Sequence, residues 1–522
     1  MKILLAGYNI DTETIRELRQ FIQRIADNLE PERFSHSDPV IKEKILEQLH
    51  QEALQLLQRD NLTPETISAA YARISRNPLP VNELREIARQ EVDRARKSNQ
   101  NIIFGLGHSS VAEHANFNFD ILGVSRLAVE SIEHFRLASY TEKSQRYILF
   151  KDDFIIPKEI RGSTLENEYT GLIREQNAAY QKLYKILQPY FFETYPDAAK
   201  EPKGGQRRLE GLAKEDARYL ISLATETQLG MTLNARSLEN MISKLNSHPL
   251  AEVREIGRQL FNVSKVIAPS IIKYVEPTDY LSKKREKALN FISLNIRQNT
   301  EPSATGTPQA RLIDYTRDAD ERILAAVLFK YEKLEYSQAL REIKQMDDYQ
   351  QKEFFRVIYR DMNAWDSVLR EFEFVTFTFE LIISASNYGQ LKRHRMANID
   401  IQDYDISLGV TIPDSVKQTG QEKLFLNIID QTNQVYEKLY LQYPVIAPYV
   451  LTNSHRRRVL LNINLRELYH FTRLREDEHA QWDIREICSK MHHLVTKQLP
   501  LAGALLCGKD NFNRVYQNFY KE

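Results

Sequence analysis

With 522 residues, the chain exceeds what one hydrophobic core usually organises, so two or more domains are expected. Lys+Arg and Asp+Glu both number 71, and hydrophobic residues make up 42%; this balance leaves no footprint for general nucleic-acid or membrane binding. The only cysteines are Cys488 and Cys507, which excludes a disulfide framework and a cysteine-rich zinc site and fits a reducing cytoplasm.

In chain order, MKILLAGYNI reads as a first strand rather than a signal peptide. No apolar run approaches the ~18 residues of a membrane span. Residues 12–30 and 39–58 carry apolar positions at spacings of three and four, which predicts two helices, the second with Ile41, Ile45, Leu49, Leu54 and Leu57 as an inner stripe. NLTPETISAAYARI opens another helix, with Thr63 as N-cap and Pro64 in the first turn. VAEHANFNFDILGVSRLAVE mixes alternation with helical period and predicts a strand running into a helix. HPLAEVREIGRQLFNVSKVI (248–267) is an amphipathic helix with Pro249 at its first turn. A boundary falls between about residues 276 and 312: EPTDY opens it, a lysine-rich helical piece follows, and NTEPSATGTPQ (299–309) is the most loop-like stretch of the chain.

Internal repetition organises the rest. ANFNFDILGVSRL is echoed by VTFTFELIISASN, HFRLAS by RHRMAN, TLNARSLENM by LLNINLRELYHF, and AEVREIGRQL by AQWDIREICSKM. Four blocks in one order indicate a tandem duplication, with domains at 1–276 and 313–522 joined by a linker at 277–312.

Two stretches carry the chemistry. EHFRLASYTEKSQRY (133–147) offers Glu142, Ser144 and Arg146 at spacings of two, an acid, a hydroxyl and a guanidinium suited to a phosphate and a nucleobase. GQLKRHRMANIDIQDY (389–404) offers Arg393, His394 and Arg395. His108, Glu113 and His114 in GHSSVAEH lack the spacing of a zinc helix and read as core or interface residues. Arg456, Arg457 and Arg458 form a run too short, in a neutral chain, to indicate nucleic acid.

These motifs resemble the signature of the flavin-dependent thymidylate synthases, R-H-R-x-x-S-x-N-E-x-S-x-R-Y. The first half keeps Arg136, Ser139, Glu142, Ser144, Arg146 and Tyr147 but loses the first Arg and the His of the triad, and Thr141 replaces Asn. The second half keeps Arg393, His394 and Arg395 and loses the rest, with Ile401, Asp403 and Asp405 in place of Glu, Ser and Arg. The resemblance implies that Gln390 and Arg393 hold deoxyuridylate and that Glu142, Ser144 and Arg146 hold it from what is a neighbouring subunit in the family. Arg218 matches a further nucleotide Arg, where the second half has Pro448; Arg475 matches the Arg that polarises the uracil, where the first half has Leu245. Flavin contacts are implied for Arg393, His394, Arg395, Glu142 and Ser110. The N-x-R role is open to Asn234, Arg236 and Asn240 or to Asn464, Arg466 and His470. Arg475 also has Glu476, Asp477 and Glu478 as alternative ion-pair partners.

Each half is thus damaged where the other is intact. The expected fold is α+β: two tandem homologous domains, each a mixed β-sheet flanked by long helices. One composite site per chain is expected, methylating dUMP to dTMP with FAD, methylenetetrahydrofolate and NADPH, in a homodimer with a pseudo-tetrameric arrangement of domains. The alternatives are a non-catalytic flavin- or nucleotide-binding protein on the same scaffold, and C5 modification of another pyrimidine nucleotide.

Overall fold

The computed structural model describes residues 1–201, 204–295 and 309–521, so the loop-like stretch 299–308 lies outside the described residues. The chain forms two compact units: Met1–Lys143 with Glu226–Arg297, and Ser144–Thr225 with Gln298–Glu522.

The first unit is built on a sheet of β1 (Lys2–Tyr8), β2 (Asn116–Ser125), β3 (Ser139–Glu142) and β4 (Glu226–Asn234) in the order β1-β2-β4-β3. Alternation drives β2: Phe117, Phe119 and Ile121 are buried while Asn116, Asn118 and Asp120 face outward. Ser125 ends β2 and caps the helix Arg126–Glu133 by accepting from the Ala128 amide at 3.0 Å. Its hydroxyl also donates to Glu252 at 2.6 Å, tying the strand end to the helix Ala251–Lys265. Asn234 ends β4 and caps Ala235–Asn246 in the same way.

The second unit repeats this plan. Its sheet is β5 (Ala310–Tyr315), β6 (Thr376–Ser384), β7 (Asn398–Ile401) and β8 (Arg456–Asn464) in the order β5-β6-β8-β7. Ser384 caps Ala385–Leu391 and donates to Asp483, as Ser125 does to Glu252. Asn464 caps Leu465–Arg475. A β-sheet flanked by helices is present in each half as expected, but it is antiparallel rather than mixed: among the described residues every strand pairing is antiparallel.

The excursion 144–225 belongs to the first half of the sequence, yet it is part of the second unit. Its long helix Leu165–Thr194 shares a core with Glu422–Gln442, through Tyr180, Leu183 and Leu187 against Phe425, Ile428 and Ile429. Buried Gln176 donates to Thr432 Oγ1 at 2.8 Å and to the Val450 carbonyl at 2.9 Å. Reciprocal backbone bonds then run about Ser222 and Thr452: Leu223 donates to Leu451 and Ala224 to Tyr449, while Asn453 donates to Ile221 and Ser454 to Tyr219. The two corresponding loops are therefore related by a local two-fold.

Three local expectations change. The helix Pro39–Gln58 forms, but it buries none of its residues: Ile41 and Leu57 are 52% and 75% exposed. Its ties to the helix Thr12–Asn28 run through polar pairs such as Arg24–Glu52, so the expected inner stripe meets no core. Pro64 precedes the helix Glu65–Arg73 as its cap residue, while Thr63 Oγ1 still accepts from the Glu65 amide at 3.2 Å. The helix Ala251–Lys265 starts two residues after Pro249.

Gly257 lies where this last helix meets the end of Ala235–Asn246. A Cβ there would come to 3.0 Å from Leu245 Cβ and 3.2 Å from the Asn246 amide. Gly257→Ala gains about 1 kcal/mol of helix propensity but forces the helices apart, and overpacking of this kind costs ~1–3 kcal/mol. The variant is expected to unfold at lower urea concentration than the parent; a raised midpoint would show slack between the helices.

Candidate active site

In the second unit, helix Ala385–Leu391 ends in a tight turn: Arg393 N donates to Gln390 O at 3.3 Å, His394 N to Leu391 O at 3.0 Å, and Ala397 N to His394 O at 3.2 Å. The turn sends His394 inward, 2% exposed, and leaves Arg395 and Met396 outside and Arg393 half-buried. The imidazole packs edge-on against Phe471, with ring centroids 4.6 Å apart.

Helix Leu465–Arg475 presents both of the imidazole's polar partners. Arg475 Nε donates to His394 Nε2 at 3.0 Å, and Glu467 Oε1 lies 3.3 Å from His394 Nδ1. A guanidinium only donates, so Nε2 must accept, and the ring proton sits on Nδ1 toward Glu467. Burial pushes the His394 pKa well below its ordinary value, and the Arg475 charge adds to this, so the ring is neutral. Burial raises the Glu467 carboxyl. Arg475 Nη2 donates to the Gln390 carbonyl at 3.3 Å. The acidic neighbours of Arg475 are engaged elsewhere, Glu476 with His492 and Asp477 with His479.

The excursion 144–225 brings the second set of groups. Arg146 pairs with the carboxylate of buried Glu215, and its amide donates to Ser144 Oγ at 3.2 Å. Arg218 is buried, with Nε donating to the Glu215 carbonyl at 3.2 Å. Tyr219 donates to Asp483 Oδ2 at 2.8 Å and accepts from Gln481 Nε2 at 2.9 Å; Gln481 Oε1 in turn accepts from Gln390 Nε2 at 3.0 Å. Asp216, also buried, accepts from Ser415 at 2.5 Å and from the Trp482 indole at 2.8 Å. Burial lowers the Arg475 pKa, and the charges of Arg393 and Arg146 lower it further. Arg393 and Arg146, from the two halves of the sequence, therefore both bear on Arg475 within this unit, an arrangement that favours an anion.

The remaining expected residues are engaged as follows. In the first unit, Glu142 accepts from Arg126 at 2.6 Å and from Thr227 at 3.3 Å. Ser110 and Asn240 are exposed, and Arg236 pairs with Glu113 at 2.5 Å. His114 stacks edge-on against Tyr71, and His108 lies 3.4 Å from Arg76, so His108, Glu113 and His114 each have a different neighbour. In the second unit, Arg466 pairs with Glu373 at 2.9 Å and donates to the Val368 carbonyl, while His470 is exposed with its ring 5.9 Å from that of His394. Arg456, Arg457 and Arg458 bond to Thr411, the Gln402 carbonyl and Glu380.

Sequence reasoning missed Glu467, Glu215, Tyr219, Gln481 and Asp483. The echo AEVRE against WDIRE did align Glu252 with Asp483, a signal that an acid is required there. Leu250 against Gln481 and Ser237 against Glu467 were visible as differences without a stated role.

The family model described as thymidylate synthase complementing protein matches residues 55–270 and again 311–501, together more than half of the chain. A UPF0159 protein of Chlamydia pneumoniae is 24% identical over 448 residues, covering 83% of this chain and 81% of the relative. A UPF0159 protein of Thermoplasma acidophilum is 24% identical over 84% of this chain and 94% of its own length. A flavin-dependent thymidylate synthase of Clostridium tetani is 29% identical over 221 residues, which is 41% of this chain but 83% of the relative.

Asp216 generates a pH signature. Burial lifts its pKa from 3.8 to about 7, with Glu215 adding to the rise and Ser415, Trp482 and Arg218 opposing it. The folded state therefore holds a proton that the unfolded chain releases, and this stabilisation is lost as pH rises from about 4 to about 7. Asp216→Asn removes the titration. Relative to the parent, the variant should gain ~2–3 kcal/mol of unfolding free energy between pH 5 and pH 8, measured by urea denaturation at both. A constant difference across that range would mean that Asp216 is ionised throughout.

Proposed function

Because the chain belongs to the thymidylate synthase complementing protein family, we propose that it methylates dUMP at uracil C5. The proposed co-reactants are a flavin, expected as FAD, with methylenetetrahydrofolate as carbon donor and NADPH as reductant. The site is the guanidinium cluster of the second unit, to which Arg146 and Arg218 come from the first half of the sequence and Gln390, Arg393 and Arg475 from the second. The observation that carries this reading is geometric: Tyr219, next to Arg218, bonds to Gln481 and through it to Gln390, whose carbonyl accepts from Arg475, so guanidinium groups from both halves of the sequence gather in one unit. Such a cluster is relieved by a bound anion, and a nucleotide phosphate is dianionic.

The donor chemistry fits a flavin dinucleotide. Arg395 and His470 are exposed beside buried His394, a cation and an N–H donor suited to a pyrophosphate and to a ring edge. Bound there, the flavin would supply the hydride chemistry.

The chain's own residues do the rest. Arg146, Arg218 and Arg393 present forked donors to the phosphate. Arg475 spends Nε on His394 and Nη2 on Gln390, which leaves Nη1 as its remaining nitrogen for the uracil edge. A fixed cation at O2 and N3 stabilises the charge that builds on the ring as C5 becomes nucleophilic, and it does so more in the transition state than in the ground state. No thiol is offered for covalent catalysis: both cysteines are buried, and burial pushes Cys488 well above its ordinary pKa and raises Cys507. A homodimer is the proposed assembly, readable by sedimentation velocity.

Arg146→Ala and Arg393→Ala should each abolish dTMP formation by the FAD-loaded full chain, and Arg475→Ala should lower kcat roughly 100- to 1,000-fold. Turnover is read as dTMP formed from dUMP, methylenetetrahydrofolate and NADPH. Substantial activity in either of the first two variants would mean that the two halves do not share a site.

A further inference from the structure

We infer that Glu467 is a positioning residue for Arg475, acting through the tautomer of His394. This rests on reading the cluster as a uracil-nucleotide site, and it adds a residue to that site which does not itself touch the substrate.

An imidazole has three protonation forms, and only one suits this geometry. The cation has no lone pair for Arg475 and would repel it. The Nε2–H tautomer would set two donors against each other across 3.0 Å. Only the Nδ1–H tautomer leaves Nε2 free to accept from Arg475 Nε, and it needs an acceptor at Nδ1. Glu467 Oε1, 3.3 Å away, is that acceptor. Burial of the ring disfavours its cation as well, in agreement with the geometry.

The first repeat serves as an internal control. Its helix Ala235–Asn246 has the same Asn cap, and the corresponding positions hold Ser237, Leu245 and, at the end of the preceding turn, Phe135. The carboxylate, the guanidinium and the imidazole are thus replaced together, as expected if the three act as one unit. Glu467 is not needed to cap its own helix, because its amide already bonds to Asn464 Oδ1 at 2.8 Å. An acid in a helix's first turn also interacts with the helix dipole, but that role asks for no contact with His394. The effect on Arg475 is geometric: with Nε and Nη2 both anchored, the guanidinium plane is fixed before the nucleotide arrives.

The test uses the FAD-loaded full chain with histidine labelled in 15N, the His394 signals being assigned by their loss in His394→Gln. Wild type should show the neutral Nδ1–H tautomer at pH 7.5. Glu467→Gln keeps an acceptor oxygen and should keep the tautomer and most of kcat. Glu467→Ser installs the residue that the first repeat carries in a folded copy of this helix. It should lose the tautomer and lower kcat roughly 10- to 100-fold, with KM for dUMP changed less than about threefold. An Nε2–H or doubly protonated His394 in wild type would overturn the inference without any variant. So would an unchanged kcat in Glu467→Ser, or a Gln variant no better than the Ser variant. If wild type forms no dTMP, the nucleotide reading fails by itself, while the tautomer measurements still decide the role of Glu467.

Discussion

The second unit depends on one packing constraint: the excursion between β3 and β4 buries its apolar faces on residues of the second repeat. Tyr180, Leu183 and Leu187 share a core with Phe425, Ile428 and Ile429. The loops around Ser222 and Thr452 exchange backbone bonds in reciprocal pairs. A fully buried loop must satisfy its amides and carbonyls, and here each repeat's loop does so with the other's. Once those loops are locked, Tyr219 has a fixed position against Gln481 and Asp483, and the Arg146–Glu215–Arg218 group lies on the same excursion. The polar chain from Tyr219 through Gln481 to Gln390 follows from the same locking, since each member supplies the partner that the next lacks.

Duplication gives two copies of every position, and their divergence is ordered. Where the second repeat has His394, Glu467, Arg475 and Gln481, the first has Phe135, Ser237, Leu245 and Leu250, mostly apolar, with Leu245 and Leu250 buried. Conversely, Arg146 and Arg218 stand where the second repeat has Asp405 and Pro448. Scaffold features did not diverge in this way. Ser125 and Ser384 both cap a helix and bond an acid, and Asn234 and Asn464 both cap the next. Features that hold the fold were kept twice, and features that need to exist once were kept once.

Much of this was legible in the sequence because it is local. The first six residues of β2 and of β6 alternate, Ser and Asn mark the helix starts, and the repeat order shows which strands correspond. The stripe in Pro39–Gln58 misled because periodicity reports that a helix has an apolar face, not that a core exists to receive it. The Glu467–His394–Arg475 relay was hidden for another reason. Its members are distant in sequence, and tautomer and burial are tertiary properties that spacing does not encode. Arg475 was visible through the family pattern, but its acidic neighbours in sequence offered a plausible false partner until geometry assigned His394.

The choice of partner for Arg475 has a physical consequence. A carboxylate directly against the guanidinium would orient it, but would also neutralise much of its charge. A neutral imidazole orients without neutralising: it supplies one lone pair and no net charge. The carboxylate is still present, as Glu467, but on the far side of the ring, where it fixes the tautomer while the ring separates it from the cation. Burial reinforces the arrangement, because the same desolvation that keeps His394 neutral makes the Arg475 charge less screened and more effective. A cation in this setting, crowded further by Arg393 and Arg146, has few ways to lower its energy other than to meet an anion or a ring on which negative charge is developing.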